Sequence, residues 1–247
     1  MCRMVAAISP SPMPVYAPLE LADALGHLAL RGRSSDGLAH PHGWGILAFR
    51  GGQLVEYHRS IEPAWRSSLD EAFRADLLIL HARKASKGEV RLENTHPMVR
   101  LVGGRLWGLA HNGTIHGWED LLEEGERGEM LGSTDTEALL IHLSKAGDLQ
   151  SVIERLSKLK DDVDRLRVES ITCLLTDGSS LLACRGASMK HDYYTLNWAR
   201  RGWEETESLV FSSEPLEGWG PWTPLRNWSA MLVRRVAGGL EVDEVDI

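Results

Sequence analysis

Most apolar residues in this chain fall in short runs bounded by glycine, proline or Asp-Gly pairs, and only a few stretches carry a helical repeat. The run 2–9 predicts a strand, closed by a turn rich in proline at Pro10, Pro12 and Pro14. Leu21, Leu25 and Leu28 recur at helical spacing and predict a helix over 18–31. Gly51-Gly52 separates two apolar runs, so 45–49 and 54–58 are expected to form a hairpin. Further strands are expected at 77–82, 105–110, 170–176, 181–185, 208–212, 230–236 and 240–245. Asp177-Gly178 and Gly238-Gly239 supply turn residues between strand pairs. Helices are expected at 63–74, 136–145 and 149–159. The first opens on Pro63, tolerated there because a first-turn N–H would be unpaired anyway. The second is preceded by Thr134-Asp135-Thr136-Glu137, which has capping-box spacing.

Strands arrive mostly in hairpin pairs and helices in two groups. This pattern predicts an α+β architecture with largely antiparallel sheets, in place of a doubly wound parallel sheet. No repeat, low-complexity stretch or linker interrupts the 247 residues, so 1–247 is expected to be a single domain. With 43% hydrophobic and 25% charged residues the composition is that of a globular protein. A net charge of -8 and the lack of a basic stripe argue against a nucleic-acid partner. The N-terminus does not read as a secretory signal, and no stretch approaches the ~20 apolar residues of a membrane span, so a cytoplasmic location without membrane contact is expected. The three cysteines, Cys2, Cys173 and Cys184, are too few and scattered for a disulfide framework or zinc site. Cys173 and Cys184 are expected to face each other across a hairpin as buried thiols.

Candidate chemistry sits where strands end: Met1-Cys2-Arg3, His42-Gly43-Trp44-Gly45, His81-Ala82-Arg83-Lys84-Ala85-Ser86, Asn94-Thr95-His96-Pro97, His111-Asn112-Gly113-Thr114-Ile115 and Ser133-Thr134-Asp135. Removal of Met1 ahead of a small second residue would leave Cys2 with both a thiol and a free α-amine. Their unperturbed pKa values, ~8.5 and ~7.7 to 8.0, allow the amine to take the thiol proton at neutral pH. Thiolate attack on an amide builds charge on the carbonyl oxygen. Asn112 offers a side-chain N–H for that oxygen, and Gly113 a backbone N–H unobstructed by a Cβ. An amino-acid substrate also brings an α-carboxylate, suited to the planar fork of Arg83, and an α-ammonium, suited to Asp135.

In this order, the mature N-terminal Cys, His-x-Arg-x-Ala-Ser, Asn-x-His-Pro, His-Asn-Gly-x-Ile and Ser-Thr-Asp-Thr-Glu resemble the class II glutamine amidotransferases. The runs Trp44 to Ile46 and Ser213-Glu214-Pro215-Leu216 extend the likeness, which reaches from residue 2 to residue 216. The resemblance implies an N-terminal nucleophile hydrolase: a four-layer αββα sandwich of two mostly antiparallel sheets, a glutaminase-type domain that cleaves a γ-glutamyl amide through a Cys2 thioester. It implies Cys2 as nucleophile, Asn112 and Gly113 as oxyanion hole, Arg83 with Ser86 on the substrate carboxylate and Asp135 on the substrate amine, with Trp44 and His96 beside the substrate. Two features depart from many members. Lys84 stands where an aromatic residue often follows the motif Arg, and no synthase segment is expected after the glutaminase region. The chain is thus similar to small members, some of which remove a γ-glutamyl group from a thiol compound.

No cofactor is implied. The ten histidines, His40, His42, His111 and His116 among them, fall into no ligand pattern, so no catalytic metal is expected. The tryptophans Trp198, Trp203, Trp219, Trp222 and Trp228 are read as packing for the C-terminal loops, with a pocket or partner role as the alternative. Partners reduce to a small-molecule substrate, glutamine or a γ-glutamyl conjugate, and a separate synthase subunit that would receive ammonia. The competing functions are an N-terminal nucleophile acylase for another amide, which Arg83 and Asp135 disfavour, and a non-catalytic module, which an intact Cys2 disfavours.

Overall fold

The computed structural model describes residues 2–32, 38–69, 71–85 and 88–247. Its first strand, β1 (Arg3–Ile8), is buried on both faces, as its unbroken Met-Val-Ala-Ala-Ile run requires. Helix α1 (Tyr16–Arg31) follows, then the hairpin of β2 (Trp44–Arg50) and β3 (Gln53–Ser60), turned at Gly51 and Gly52 with φ of 60° and 81°. Next come β4 (Leu77–Ala82), β5 (Met98–Val102) and β6 (Arg105–Ile115). Three helices, α2 (Asp135–Ser144), α3 (Leu149–Asp161) and the single turn α4 (Val163–Leu166), precede β7 (Val168–Thr176) and β8 (Ser180–Arg185). The chain closes with β9 (Asn197–Trp203), β10 (Thr206–Ser212), β11 (Thr223–Pro224), β12 (Ser229–Val236) and β13 (Gly239–Asp246).

These strands form two sheets, ordered β11-β9-β10-β1-β4-β2-β3 and β13-β12-β8-β7-β6-β5, and every strand pair described is antiparallel. Three apolar clusters fill the three interfaces of the stack. Val5, Ala7, Leu78 and Leu80 meet Leu21 and Leu25 of α1. Met4, Ala6, Ile8, Leu47 and Ile79 meet Leu174, Leu181 and Met231 of the other sheet. Leu109, Cys173 and Leu175 meet Leu139 of α2 and Leu156 of α3. The order is therefore α, β, β, α, and the period-two alternation of β1 sends odd residues toward α1 and even ones between the sheets. Cys173 and Cys184 are register partners in β7 and β8, both free and buried. No described helix is long and apolar enough to cross a membrane.

Three local expectations are corrected. The helix expected over 63–74 is only a 3-10 turn, Ala64–Arg66. The Ser67 hydroxyl donates to Pro63 O at 3.3 Å, taking the acceptor that the Ser67 N–H would use in an α-helix, and Ser67 is extended. Thr134 is the N-cap residue of α2, yet no side-chain cap bond forms. Glu137 instead accepts from Leu131 N at 2.7 Å and Gly132 N at 2.8 Å, tying down the loop before the helix. Finally, β6 runs past residue 110 to Ile115, carrying Asn112 and Gly113 inside a strand.

Candidate active site

Cys2 immediately precedes β1, a central strand of the seven-stranded sheet, and is 9% exposed. The register Arg3↔Ala82 between β1 and β4 puts Cys2 and Arg83 side by side at one sheet end. Asn112 approaches from β6 of the other sheet, where it lies opposite Thr172. The Cys2 N–H donates to Asn112 Oδ1 at 3.1 Å. The other end of that amide, Nδ2, is buried and has no hydrogen-bond partner among the described residues. A buried amide donor normally finds an acceptor, so this Nδ2–H is left able to bond one that the described residues do not supply. At Gly113, a Cβ would fall 2.0 Å from Ser170 O and 2.4 Å from His111 Nε2, so only glycine lets β6 lie this close to β7.

Arg83 is 3% exposed. Burial lowers its pKa, while the nearby Cys2 and Asp135 act to raise it, so the guanidinium lies within electrostatic reach of both. Its backbone is fixed on both sides, with Arg83 N donating to Gly43 O at 2.8 Å and His42 N to Arg83 O at 3.0 Å. The guanidinium donates to Glu89 O at 2.9 Å, and Asn94 Nδ2 donates to the same carbonyl at 3.1 Å. Asn94 Oδ1 in turn accepts from Ser133 N at 3.0 Å, linking the loop after Arg83 to the approach to Asp135. At the start of α2, Asp135 accepts from Ile115 N at 2.7 Å and Thr136 N at 3.0 Å. A carboxylate has about four acceptor positions, so both oxygens keep capacity for an ammonium group.

The remaining expected site residues are placed as follows. Ser86 lies outside the described residues. Trp44 is 3% exposed and packs in the cluster beneath α1, its ring 5.3 Å from that of His58. His96 is 5% exposed, its Nδ1 3.0 Å from His81 Nε2. Burial first, and the Arg83 charge second, hold His81 at a pKa of about 3; burial, then His81 and His111, hold His96 well below the usual histidine value. Both rings are therefore neutral near pH 7. His111 bridges Thr136 Oγ1 and Ser170 O, each at 3.0 Å.

Two residues that the sequence placed in motifs but left without a role are linked to Cys2, Arg3 directly and Glu214 through Arg3. Arg3, 1% exposed, donates to Cys2 O at 3.1 Å and ion-pairs with Glu214. The available signal was a lone charge opening the otherwise apolar run Arg3–Ile8.

Residues 12–201 match the family model described as "Glutamine amidotransferases class-II". The chain is 30% identical over 185 residues to the Escherichia coli (strain K12) protein named "Putative glutamine amidotransferase YafJ", a match covering 69% of this chain and 70% of that one. It is 31% identical over 160 residues to a Methanocaldococcus jannaschii protein, covering 61% of this chain and 43% of that one. Among solved structures, a class-II domain protein from Silicibacter pomeroyi superposes with a TM-score of 0.60 at 18% identity, covering 100% of this chain and 99% of that one. The glutamine phosphoribosylpyrophosphate amidotransferase of B. subtilis superposes with a TM-score of 0.67 at 18% identity; 98% of this chain spans 49% of that larger enzyme. These structural likenesses carry the fold, that of the N-terminal nucleophile amidotransferases, and the family match carries the membership: this chain belongs to the class II glutamine amidotransferases.

Proposed function

We propose that this chain, acting as one domain over 1–247, hydrolyses a γ-glutamyl amide through a thioester on Cys2 in the cytoplasm, where thiols stay reduced. With Met1 removed, the Cys2 α-amine takes the thiol proton and the thiolate attacks the γ-carbonyl carbon. Asn112 Nδ2–H and the Gly113 N–H receive the oxyanion. Collapse breaks the C–N bond, and the protonated amine returns its proton to the leaving nitrogen. Water then attacks the thioester, releasing the γ-carboxylate and regenerating the thiol. Arg83 and Asp135 grip the α-carboxylate and α-ammonium, with Ser86 assisting Arg83. Trp44 and His96 complete the set of residues beside the substrate.

The observation that carries this reading is the Asn112 amide, its oxygen engaged by Cys2 N and its nitrogen buried and unpaired. The experiment is a turnover screen of free glutamine beside γ-glutamyl amines and γ-glutamyl thiol conjugates, with Cys2→Ala as control and intact mass recorded on the active protein. Expected are turnover of at least one γ-glutamyl amide, loss of activity in Cys2→Ala and a mass lacking Met1. Full activity with Met1 retained would exclude the amine as base. Turnover confined to free glutamine would favour ammonia delivery to a separate synthase subunit; turnover of a conjugate would make the released amine or thiol compound the product.

A further inference from the structure

Once Met1 is gone, Cys2 is tethered by a single peptide bond, and rotation about its Cα–C bond swings the amine and thiol together. Fixing that rotation needs one anchor on the Cys2 nitrogen and another on its carbonyl oxygen. Asn112 Oδ1 is the first, at 3.1 Å, and Arg3 Nη1 is the second, also at 3.1 Å. Arg3 is itself held on several sides. Its guanidinium lies 5.0 Å from the Tyr193 ring centroid, donates to the Tyr193 hydroxyl at 3.3 Å and pairs with Glu214. Glu214 is delivered by its neighbour Ser213, whose N donates to Met4 O at 3.0 Å and whose Oγ accepts from Met4 N at 3.2 Å. The end of β10 is thereby pinned to β1 one residue from the charge pair. The end of α1 also lies close, since a Cβ at its C-cap Gly32 would meet Leu28 O at 2.4 Å and Arg3 Nε at 2.9 Å.

We propose that Arg3, oriented by Glu214 and Tyr193, is the positioning residue that locks the Cys2 carbonyl and so aims the thiol and α-amine at the scissile amide. A buried ion pair is weak evidence for stability, since desolvation offsets much of its attraction; fixing one geometry is the better-attested use. Arginine suits the task because one planar group can engage the carbonyl, the carboxylate and the aromatic face at once, which a lysine point charge cannot. Asn112 thus holds the Cys2 nitrogen, and Arg3, backed by Tyr193, holds its carbonyl oxygen. Substrate grip stays with Arg83 and Asp135, and Arg3 acts through Cys2 alone.

Resting on the proposed Cys2 chemistry, the test compares kcat with substrate affinity in the full chain lacking Met1. Affinity is read without turnover, as the protection that substrate gives Cys2 against alkylation by iodoacetamide. The variants are Arg3→Lys, Arg3→Gln and the double variant Arg3→Gln with Glu214→Gln, which removes both charges together and avoids a lone half-buried carboxylate. Circular dichroism confirms folding. Expected for the folded double variant is a kcat loss of roughly tenfold to a hundredfold, the scale of a misplacement of about 1 Å in a reacting group. Protection should stay within about threefold of the parent by the same argument, and Arg3→Lys should recover part of kcat. An unchanged kcat in the folded double variant would overturn the inference, as would parallel loss of kcat and protection, which marks a role in the fold alone. An inactive parent protein would overturn the γ-glutamyl reading and this inference with it; an active parent beside an unaffected double variant overturns only this one.

Discussion

Cys2 N and Asn112 Oδ1 sit 3.1 Å apart although Cys2 leads into β1 of one sheet and Asn112 lies in β6 of the other, 110 residues away in sequence. Because the amide group is planar, engaging its oxygen also fixes the direction of its nitrogen. One side chain thus anchors the Cys2 nitrogen while keeping a buried, unpaired amide donor of fixed direction. The sandwich supplies the rigidity: Ala110 two positions earlier on β6 packs in the inter-sheet cluster with Met4 and Ala6 of β1.

Asn112→Asp keeps the acceptor and the shape but removes the donor and adds negative charge where the oxyanion is proposed to form. The expected result is a fall in kcat of ~10²- to 10³-fold with KM changed far less, the usual scale for an oxyanion donor. Asn112→Ala should fall at least as far, since it also frees the Cys2 nitrogen. Steady-state kinetics on the best amide from the substrate screen checks this. Retention of kcat within tenfold in Asn112→Asp would remove Asn112 from the oxyanion role.

The layers were legible because burial on two faces leaves plain marks: the unbroken apolar runs 4–8 and 77–80, and the leucine stripe of α1. The site was harder to place. His-Asn-Gly looks like a turn, since it lacks apolar alternation, but β7 pairs with it along its length and makes it strand, so Asn112 projects from a rigid element. β9, with Arg200 and Arg201 mid-strand, was missed because it is nearly an edge strand, flanked outward only by the two residues of β11, and is held by pairing to β10 more than by burial. Asn94 and Glu214 belong to motifs visible in the sequence, yet what they hold depends on contacts across 39 and 211 positions that no local pattern encodes.

Acid should unfold this protein through its buried histidines. His40 is held at a pKa of about 3, by burial first and the Arg3 charge second, and His81 also at about 3. His96 lies well below its ordinary value of 6.5. In each case the folded-state pKa is depressed, so below pH 6.5 the unfolded chain binds more protons than the folded one. The contribution of these rings is complete above pH 6.5 and is lost progressively as pH falls toward 3. Each ring adds a slope of up to ~1.4 kcal/mol per pH unit within that window. Urea unfolding at pH 7.5, 6, 5 and 4 should show stability dropping over this range, and the double variant His81→Gln with His96→Gln should flatten the drop. An undiminished slope in that variant would assign the acid sensitivity to other groups.

Arg83 and Asp135 are proposed to read opposite ends of one amino acid, and each can be matched to a substrate lacking the group it binds. Arg83→Lys keeps the charge but loses the bidentate fork, so KM should rise ~10- to 100-fold, the worth of a charge-assisted hydrogen bond, with a smaller effect on kcat. Asp135→Asn should weaken binding of γ-glutamyl amides by a similar factor. Asp135 also begins α2 and accepts the Ile115 and Thr136 N–H groups, so a loss of activity alone would not separate substrate binding from local structure. The amide of glutaric acid, which has no α-amine, makes that separation. If Asp135 holds the α-ammonium, wild type and Asp135→Asn should bind this analogue nearly equally while differing on the parent amide. If its role is only to order the start of α2 and the end of β6, the substitution should penalise both compounds alike. The ratio of kcat/KM for the two compounds, measured in both proteins, isolates the contact between carboxylate and ammonium from every effect they share.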